Sequence, residues 1–346
     1  MAVGCPMSDK TTTDTKKGGI KFDPKKLAFF QLREINLLFI ILAIIIGLSI
    51  TSPYFAKWAN IKVVLGSLSI DGIVVIGMTI ILISGGIDLS VGSMMCLSMT
   101  IIAKLFLKGV NPWLAAGIAV CICASIGSFI GFLVTRIRLS HFIVTLCFMG
   151  ICRGIVHTMT TGTPISLVRV LANAPNFRYL GNGQIGGVLP MTVLIFAVIV
   201  ILAELFVRNS VLMRMVFYTG SNQKAAAYSG INVNRVKVFT CITCSVFAAL
   251  AGVIYVNKFS GVPITAGNGL EMTAIASAVI GGVSMNGGKG SILGAILGLS
   301  LMALVQNGMT LFNVPAFWQD LIRYIIVLVA VVIDAIRQNA AMRRTE

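Results

Sequence analysis

An apolar stretch of the chain is interrupted by Ser84-Gly85-Gly86-Ile87-Asp88-Leu89-Ser90-Val91-Gly92-Ser93. The flanking sequence is nearly free of charge and approaches the length of a membrane-spanning helix, which needs about 20 mostly apolar residues. Irregular backbone survives at membrane depth only where protein or a water-filled cavity satisfies its polar groups. The flanks therefore predict an all-α membrane protein. The interruption predicts either a break inside the helical bundle or an ordinary cytoplasmic turn.

The composition of the whole chain indicates that lipid is its main solvent. Of 346 residues, 57% are hydrophobic and 11% are charged, whereas soluble domains carry about 25% charged residues. The net charge of +16 would suit nucleic acid, but a nucleic-acid site gathers its basic residues on one soluble face. Here Lys and Arg lie between the apolar runs, so no nucleic-acid partner is expected.

Ten apolar segments have a composition and length that suit helices spanning or entering the bilayer. They are 36–50, 61–84, 89–103, 113–135, 141–158, 188–207, 238–256, 272–283, 292–312 and 321–336. We therefore predict a polytopic transmembrane bundle of about ten helices over residues 35–337. A polar cytoplasmic tail precedes it at 1–34, and a second cytoplasmic tail follows at 338–346.

The distribution of basic residues predicts the orientation of this bundle. Segments predicted to be cytoplasmic, among them 136–138 and 208–237, hold eighteen of the 27 Lys and Arg residues. External segments hold eight, and Arg153 lies within a helix. Because cytoplasmic loops are enriched in Lys and Arg, both termini are predicted to be cytoplasmic.

A second interruption reads Gly281-Gly282-Val283-Ser284-Met285-Asn286-Gly287-Gly288-Lys289-Gly290-Ser291. Broken helices at corresponding places in two halves of a transporter point to its translocation path. The pair is also compatible with an internal repeat, parallel or inverted. The residues predicted to line a path for a small polar solute are Asp71, Ser84, Gly85, Gly86, Asp88, Ser90, Gly281, Gly282 and Asn286.

Motifs of enzymes, cofactor sites and metal sites are absent or misleading. Residues 287–291 resemble the end of a phosphate-binding loop, but Gly290 separates the lysine from the serine that should follow it directly. The dinucleotide pattern at 181–186 opens no βαβ unit. Cys241 and Cys244 have redox or zinc spacing but lie in an apolar segment without a second pair. We expect no catalytic residue, cofactor or metal.

Charged residues inside the apolar segments are costly and usually face a cavity or a partner. The candidates are Asp71, Arg153, Glu204 and Asp334. Asp71 is the deepest acid, about ten residues into the second segment, and has either a pathway or a packing role. Glu204 and Asp334 lie near cytoplasmic ends and could instead extend to the interface.

The largest predicted cytoplasmic loop, 208–237, contains a short helix signal. Ala225 and Ala226 favour a helix, Ser221 or Asn222 can cap its start, and Gly230 can end it in a left-handed conformation. A helix of one to two turns across this loop would be a docking site for another protein. The alternative is a plain connector.

Taken together, these residues resemble the permease subunits of the ribose-type family of bacterial ATP-binding-cassette importers, which includes permeases for ribose, galactose, xylose and autoinducer-2. The resemblance covers nearly the whole chain after the tail. The landmarks are Gly77-Met78, 85–92, Phe142-Ile143-Val144-Thr145-Leu146, Arg153-Gly154, Gly220-x-Asn222 through Ala225-Ala226 to Gly230-Ile231-Asn232-Val233, Gly269-Leu270-Glu271, Ala274-Ile275-Ala276, Ile280-Gly281-Gly282-Val283-Ser284, Gly287-Gly288 and Gly290-Ser291.

This resemblance implies a multi-pass protein of the bacterial inner membrane that is not itself an enzyme. It implies a second permease chain, identical or different, a pair of cytoplasmic ATPase subunits and an external solute-binding protein that lands on residues 160–190. The residues implied to couple the permease to the ATPase are Gly220, Asn222, Ala225, Ala226 and Gly230. Gln223-Lys224 stand where the family often has acidic residues, which affects the choice of ATPase partner rather than docking itself.

Two other classes of protein remain as alternatives. A secondary transporter would use Asp71 and Asp88 to bind or release the driving ion. A membrane-embedded enzyme is less favoured, because no nucleophile, base and acid cluster at one face of the predicted bundle. The solute itself is not predicted by these residues, since few polar side chains line the candidate path.

Overall fold

The computed structural model of the chain describes the backbone of residues 24–342 and the side chains of residues 35–336. Most of the predicted tail, residues 1–23, and the last four residues lie outside the described part. The described backbone is a bundle of α-helices with four two-residue strands at its edge. The predicted all-α class and polytopic character are confirmed.

Each of the ten predicted segments lies in or overlaps a helix. The helices are α1 Pro24–Thr51, α2 Trp58–Ile83, α3 Val91–Leu107, α4 Pro112–Arg136, α5 His141–Thr160, α6 Val168–Ala172, α7 Pro175–Asn182, α8 Met191–Asn209, α9 Val211–Ser221, α10 Gln223–Tyr228, α11 Val233–Phe259, α12 Leu270–Ile280, α13 Ile292–Leu311 and α14 Ala316–Met342. Within the described residues, seven are long and apolar enough to cross a membrane: α2, α4, α5, α8, α11, α13 and α14. The shorter apolar helices are α3, α12 and the part of α1 from Ile35 to Thr51.

Burial separates the centre of the bundle from its periphery. A helix that is hydrophobic all round belongs in a core or in lipid. The most apolar window of α2 is 83% buried, whereas that of α14 is 6% buried. We therefore place α2 at the centre and α14 at the lipid-facing edge, although their sequences are similarly apolar.

The central pair of helices is α2 and α11, which run antiparallel. Gly66, near the start of α2, packs against Lys258 at the end of α11, and Gly77 packs against Cys244 and Phe247. Small residues let membrane helices approach closely. The same device joins α4 to α11, where Gly127 and Gly131 pack against Ser245 and Val238.

The loops lie at two opposite ends of the bundle. We call one end the α10 face; it carries α9, α10, the starts of α5 and α11 and the ends of α2 and α12. We call the other the α7 face; it carries α6, α7 and two small antiparallel sheets. The sheets pair β1 (Ile165–Ser166) with β4 (Gly261–Val262), and β2 (Gln184–Ile185) with β3 (Leu189–Pro190).

A third irregular segment, residues 260–269, was not singled out from the sequence. It leaves the end of α11 and returns into the bundle before α12 begins at Leu270. Gly267 packs against the backbone of Gly92 at the start of α3. The carbonyls of Pro263 and Ile264 lie beside the thiol of Cys96 on α3. The starts of the two short helices, α3 and α12, therefore meet inside the bundle.

Candidate functional site

The first interruption is a buried, ordered turn between α2 and α3. Asp88 is 1% exposed, and its Oδ1 accepts hydrogen bonds from the backbone N–H of Ser90 at 2.8 Å and from the Ser90 hydroxyl at 2.6 Å. The hydroxyl of Ser84 donates to the carbonyl of Ile81 at 2.7 Å. The predicted path residues Ser84, Asp88 and Ser90 thus form a buried turn held by hydrogen bonds within it and to the end of α2.

Neighbours on α11 give the depth of this turn. The Ser84 hydroxyl lies 3.4 Å from that of Thr240, and the Asp88 carboxyl lies beside the thiol of Cys244. These two residues follow the start of α11 by seven and eleven positions, which is roughly 10 to 17 Å at 1.5 Å per residue. The turn therefore lies within the bundle and does not project from its end.

The second interruption connects α12 to α13 and packs backbone against backbone. A Cβ atom on Gly281 would lie 2.1 Å from the carbonyl oxygen of Gly294 on α13. The N–H of Ser284 donates to the carbonyl of Lys289 at 3.0 Å, which closes the turn that contains Asn286. Gly282 has a φ of 103°. Asn286 is exposed at the α10 face.

The two interruptions meet each other and α9 at one point. The N–H of Gly288 donates to the carbonyl of Ile83 at 2.8 Å. A Cβ atom on Gly220, in α9, would lie 1.9 Å from that same carbonyl oxygen and 2.6 Å from the Gly288 nitrogen. A Cβ atom on Gly287 would lie 2.8 Å from the nitrogen of Gly85. We call Gly85, Gly220, Gly287 and Gly288 the glycine junction.

The predicted short helix in the 208–237 loop is confirmed as α10. Asn222, rather than Ser221, caps it, because its Oδ1 accepts a hydrogen bond from the N–H of Ala225 at 3.0 Å. Gly230 closes it with a φ of 82°. Ala226 is buried against the bundle, whereas Ala225 is exposed and Tyr228 is 91% exposed. The predicted coupling residues therefore form one protruding element joined directly to the glycine junction.

Asp71 lies apart from the interruptions, on the wall of a cavity toward the α7 face. Thirteen positions of α2 separate it from Ser84, or roughly 20 Å. The cavity has a volume of about 230 Å³ and is enclosed by α2, α12, α13 and α14. Its polar lining consists of Ser67, Asp71, Thr273, Gln306, Asn307, Thr310, Gln319 and Arg323.

Most of these polar lining residues were not selected from the sequence. Gln306 and Asn307 are adjacent amides inside the apolar helix α13, and polar residues in a membrane helix usually face a cavity or a partner. The two adjacent amides are therefore a sequence signal for this cavity, of the same kind as the intramembrane charges. The amides of Asn307 and Asn60 exchange hydrogen bonds of 2.8 and 3.0 Å and tie the end of α13 to the start of α2.

The other three charged residues of the apolar segments have partners that hold the fold together. Arg153 donates from Nη1 to the carbonyls of Ile264 and Ala266, both at 2.9 Å. Glu204 pairs with Arg208 and also accepts from the N–H of Leu293 at 3.3 Å, which links α8 to α13. The Oδ2 of Asp334 accepts from the N–H of Met285 at 3.4 Å.

Among the described residues, no group of three or more His, Cys, Asp or Glu side chains is placed to hold a metal ion. The site is therefore a set of buried turns, a polar cavity and an exposed short helix. This arrangement brings the two interruptions and α9 into backbone contact, and its polar cavity of about 230 Å³ has room for a small polar molecule.

A family model and several known proteins match most of the chain, and all of them are described as permeases or permease components. The family model described as "branched-chain amino acid transport system / permease component" matches residues 60–331. The ribose import permease protein RbsC of Escherichia coli K12 is 34% identical over 94% of this chain and 100% of its own length. RbsC of Bacillus subtilis is 34% identical over 84% of this chain and 89% of its own length. The autoinducer 2 import system permease protein LsrC of Yersinia enterocolitica is 30% identical over 90% of this chain and 85% of its own length. No solved structure matches the chain significantly.

Proposed function

Because the chain belongs to the branched-chain amino acid transport system / permease component family, we propose that it is the transmembrane permease subunit of an ATP-driven importer for a monosaccharide or similar small polar solute. The observation that carries the proposal is the 34% identity to a ribose import permease over 94% of this chain and the whole of that relative. The relatives named for autoinducer 2 support the wider class of sugar-like solutes rather than ribose alone.

The protein spans the bacterial inner membrane about ten times with the α10 face in the cytoplasm. Seven helices have the length and apolar character to cross, and α1, α3 and α12 enter or cross beside them. The basic segments 136–138, 208–237 and the one containing Lys289 lie at the α10 face, as expected for cytoplasmic loops. Lipid covers the exposed apolar surface of peripheral helices such as α14.

An inverted internal repeat relates helices α2 to α5 and α11 to α14. Each set begins with a long helix, turns back into the bundle and continues with a short helix and two longer ones. Support for the inverted orientation comes from the antiparallel contact of α2 with α11 and from the meeting of α3 and α12 at Gly92 and Gly267. Broken helices that meet within such repeats are typical of transporter sites.

Coupling to a separate ATPase runs through α10. The exposed side of α10, with Ala225 and Tyr228, is the docking surface, and Asn222 and Gly230 fix its two ends. Movement of α10 reaches both interruptions through Gly220, since that residue touches Ile83 and Gly288. ATP binding would thereby shift the balance between outward-open and inward-open states.

The path for the solute begins in the cavity that Asp71 lines and passes the turns containing Ser84–Ser90 and Gly281–Asn286. In the conformation described, the glycine junction is packed backbone to backbone and would block this path where the two interruptions meet. The helices and strands of residues 165–190 stand at the opposite end, where a solute-binding protein would land. A second permease chain completes the channel.

Reconstitution tests this proposal. Vesicles containing the permease, its ATPase partner and a solute-binding protein should accumulate radiolabelled ribose or a related monosaccharide only when ATP is supplied inside the compartment that holds the ATPase. Uptake sustained by a proton or sodium gradient without any ATPase subunit would contradict the proposal and identify an ion-coupled transporter.

A further inference from the structure

A second cavity, of about 480 Å³, opens at the α10 face. It lies between the loop joining α4 to α5, the first interruption, α10 and the start of α11. Its lining includes Gly85, Arg138, Ser140, His141, Gln223 and Lys237. We call it the basic pocket.

The charge of the basic pocket has one sign. Its charged lining residues are Arg138 and Lys237, and none of its lining residues is acidic. Neither Arg138 nor Lys237 forms an ion pair with any residue in the range 35–336. The ammonium group of Lys237 donates to the Oε1 of Gln223 at 3.0 Å, which leaves its positive charge uncompensated. The pocket therefore attracts an anion.

Polar groups around the pocket lack partners. Both ring nitrogens of His141 are buried and have no hydrogen-bond partner among the described residues. Helix α5 is 20 residues long and begins here, and the Ser140 side chain does not cap it. The first N–H groups of a helix need acceptors and favour negative charge. An anion with several acceptor oxygens would accept hydrogen bonds from the first N–H groups of α5 and from the single N–H of a neutral His141 ring.

The surroundings of the pocket indicate the source of that anion. Four apolar side chains lie at the pocket or close to its lining residues in the chain: Ile137, Leu139, Phe142 and Ile143. They are 45 to 57% exposed, as expected for side chains that face lipid tails. Basic pockets between transmembrane helices on the cytoplasmic side bind the headgroups of anionic lipids. A lipid phosphate could enter the pocket while its chains remain against these apolar residues.

We propose that the basic pocket binds the phosphate group of an anionic phospholipid from the inner leaflet. The phosphate lies between Arg138 and Lys237, near the uncapped start of α5. The bound headgroup connects α10, through Gln223, to the first interruption, through Gly85 and the His141 ring that packs on Gly86. Lipid composition would therefore affect the two elements that the proposed coupling route joins.

The test uses the purified full chain, stripped of lipid in detergent and supplied with phosphatidylglycerol, phosphatidylcholine or inorganic phosphate. Native mass spectrometry measures lipid adducts, and thermal unfolding measures stabilisation. We expect phosphatidylglycerol to bind more tightly than phosphatidylcholine and to raise the unfolding temperature. Arg138→Gln and Lys237→Gln should each weaken phosphatidylglycerol binding about fivefold, because a basic residue near the membrane surface contributes about 1 kcal/mol.

Arg136→Gln is the matched control, since Arg136 is exposed at the end of α4, two residues before Arg138, but does not line the pocket. Its phosphatidylglycerol affinity should equal that of the unsubstituted chain. An equal loss in all three variants would overturn the proposal in favour of a diffuse surface charge effect. Stabilisation by inorganic phosphate with no retained lipid would overturn the lipid assignment in favour of a soluble anion.

If Arg138→Gln unfolds, the single variant Lys237→Gln provides the same comparison. No ATPase is needed, so failure here is separate from failure of the proposed transport function.

Discussion

Glycines from three distant parts of the chain make contact at the α10 face because none of them carries a side chain. Gly85, Gly220 and Gly288 belong to the first interruption, to α9 and to the second interruption. The sequence predicted each of these segments separately, since glycine clusters and a capped alanine helix are local signals. Their contact could not be predicted, because it depends on how helices far apart in the chain pack. Contacts between single glycines therefore join the residues of the predicted path to the predicted coupling element.

Gly220→Ala tests the junction. The added Cβ would lie 1.9 Å from the carbonyl oxygen of Ile83 and 2.6 Å from the nitrogen of Gly288, and neither backbone atom can move alone. Overpacking of this kind costs about 1 to 3 kcal/mol. We expect a lower unfolding temperature and a severe loss of ATP-dependent uptake. Gly150→Ala is the control, since nothing lies within 4 Å of its added Cβ. Equal behaviour of the two variants would argue against a packed junction.

Arg153 holds the irregular segment 260–269 in position. This role differs from lining a transport path, which is another common role for a charged residue inside a membrane. Its guanidinium holds the carbonyls of Ile264 and Ala266, which belong to the irregular segment before α12. Arg153→Met removes both hydrogen bonds from the guanidinium to these part-buried carbonyls, and a hydrogen bond from a charged group contributes about 1.5 to 3 kcal/mol. We expect destabilisation in thermal unfolding, with partial recovery in Arg153→Lys. Arg169→Met, at an exposed position of α6, should be nearly neutral. A neutral Arg153→Met would show that these hydrogen bonds do not hold the segment.

At the scale of elements, the long helices and α10 were predictable and the segment 260–269 was not. Apolar length identifies a membrane helix, and Asn222 with Gly230 gives α10 a start and an end. Residues 260–269 contain glycines, a proline and hydroxyl groups that suit an external loop equally well. The packing of Gly267 on Gly92, the Cys96 thiol beside the carbonyls of Pro263 and Ile264, and the hydrogen bonds from Arg153 place that segment inside the bundle.

Tyr228→Ala tests whether α10 is the docking element. The side chain is 91% exposed and contributes little to the fold, whereas an exposed Tyr is a typical anchor in protein interfaces, with losses of about 2 kcal/mol or more on truncation. We expect the purified permease to keep its unfolding temperature while co-purification with the ATPase and uptake both fall. Tyr179→Ala, at the α7 face and 48% exposed, should leave co-purification unchanged. Full retention of the ATPase by Tyr228→Ala would point to another docking surface.

At the scale of the whole molecule, the orientation in the membrane decides the roles of both faces. The charge bias predicts that α10 lies in the cytoplasm, and the structure groups Arg138, Lys237 and Lys289 at the same end of the bundle as α10. The α7 face carries the two small sheets and the cavity of Asp71. If the orientation were reversed, the ATPase would have to meet the sheets, and the basic pocket would face the outer leaflet.

Cysteine labelling of intact cells and spheroplasts distinguishes these orientations. Ser229→Cys, just after α10, and Gln184→Cys, in the sheet at the α7 face, are both exposed positions outside the long helices. A membrane-impermeant maleimide should label Gln184→Cys in spheroplasts and Ser229→Cys only after permeabilisation, because the bilayer separates the reagent from the cytoplasmic face. The unsubstituted chain sets the background, since Cys121 and Cys147 are exposed on the bundle surface. If only Ser229→Cys were labelled in intact spheroplasts, the α10 face would lie outside the cell. The proposed orientation and the proposed position of the ATPase would then both be wrong.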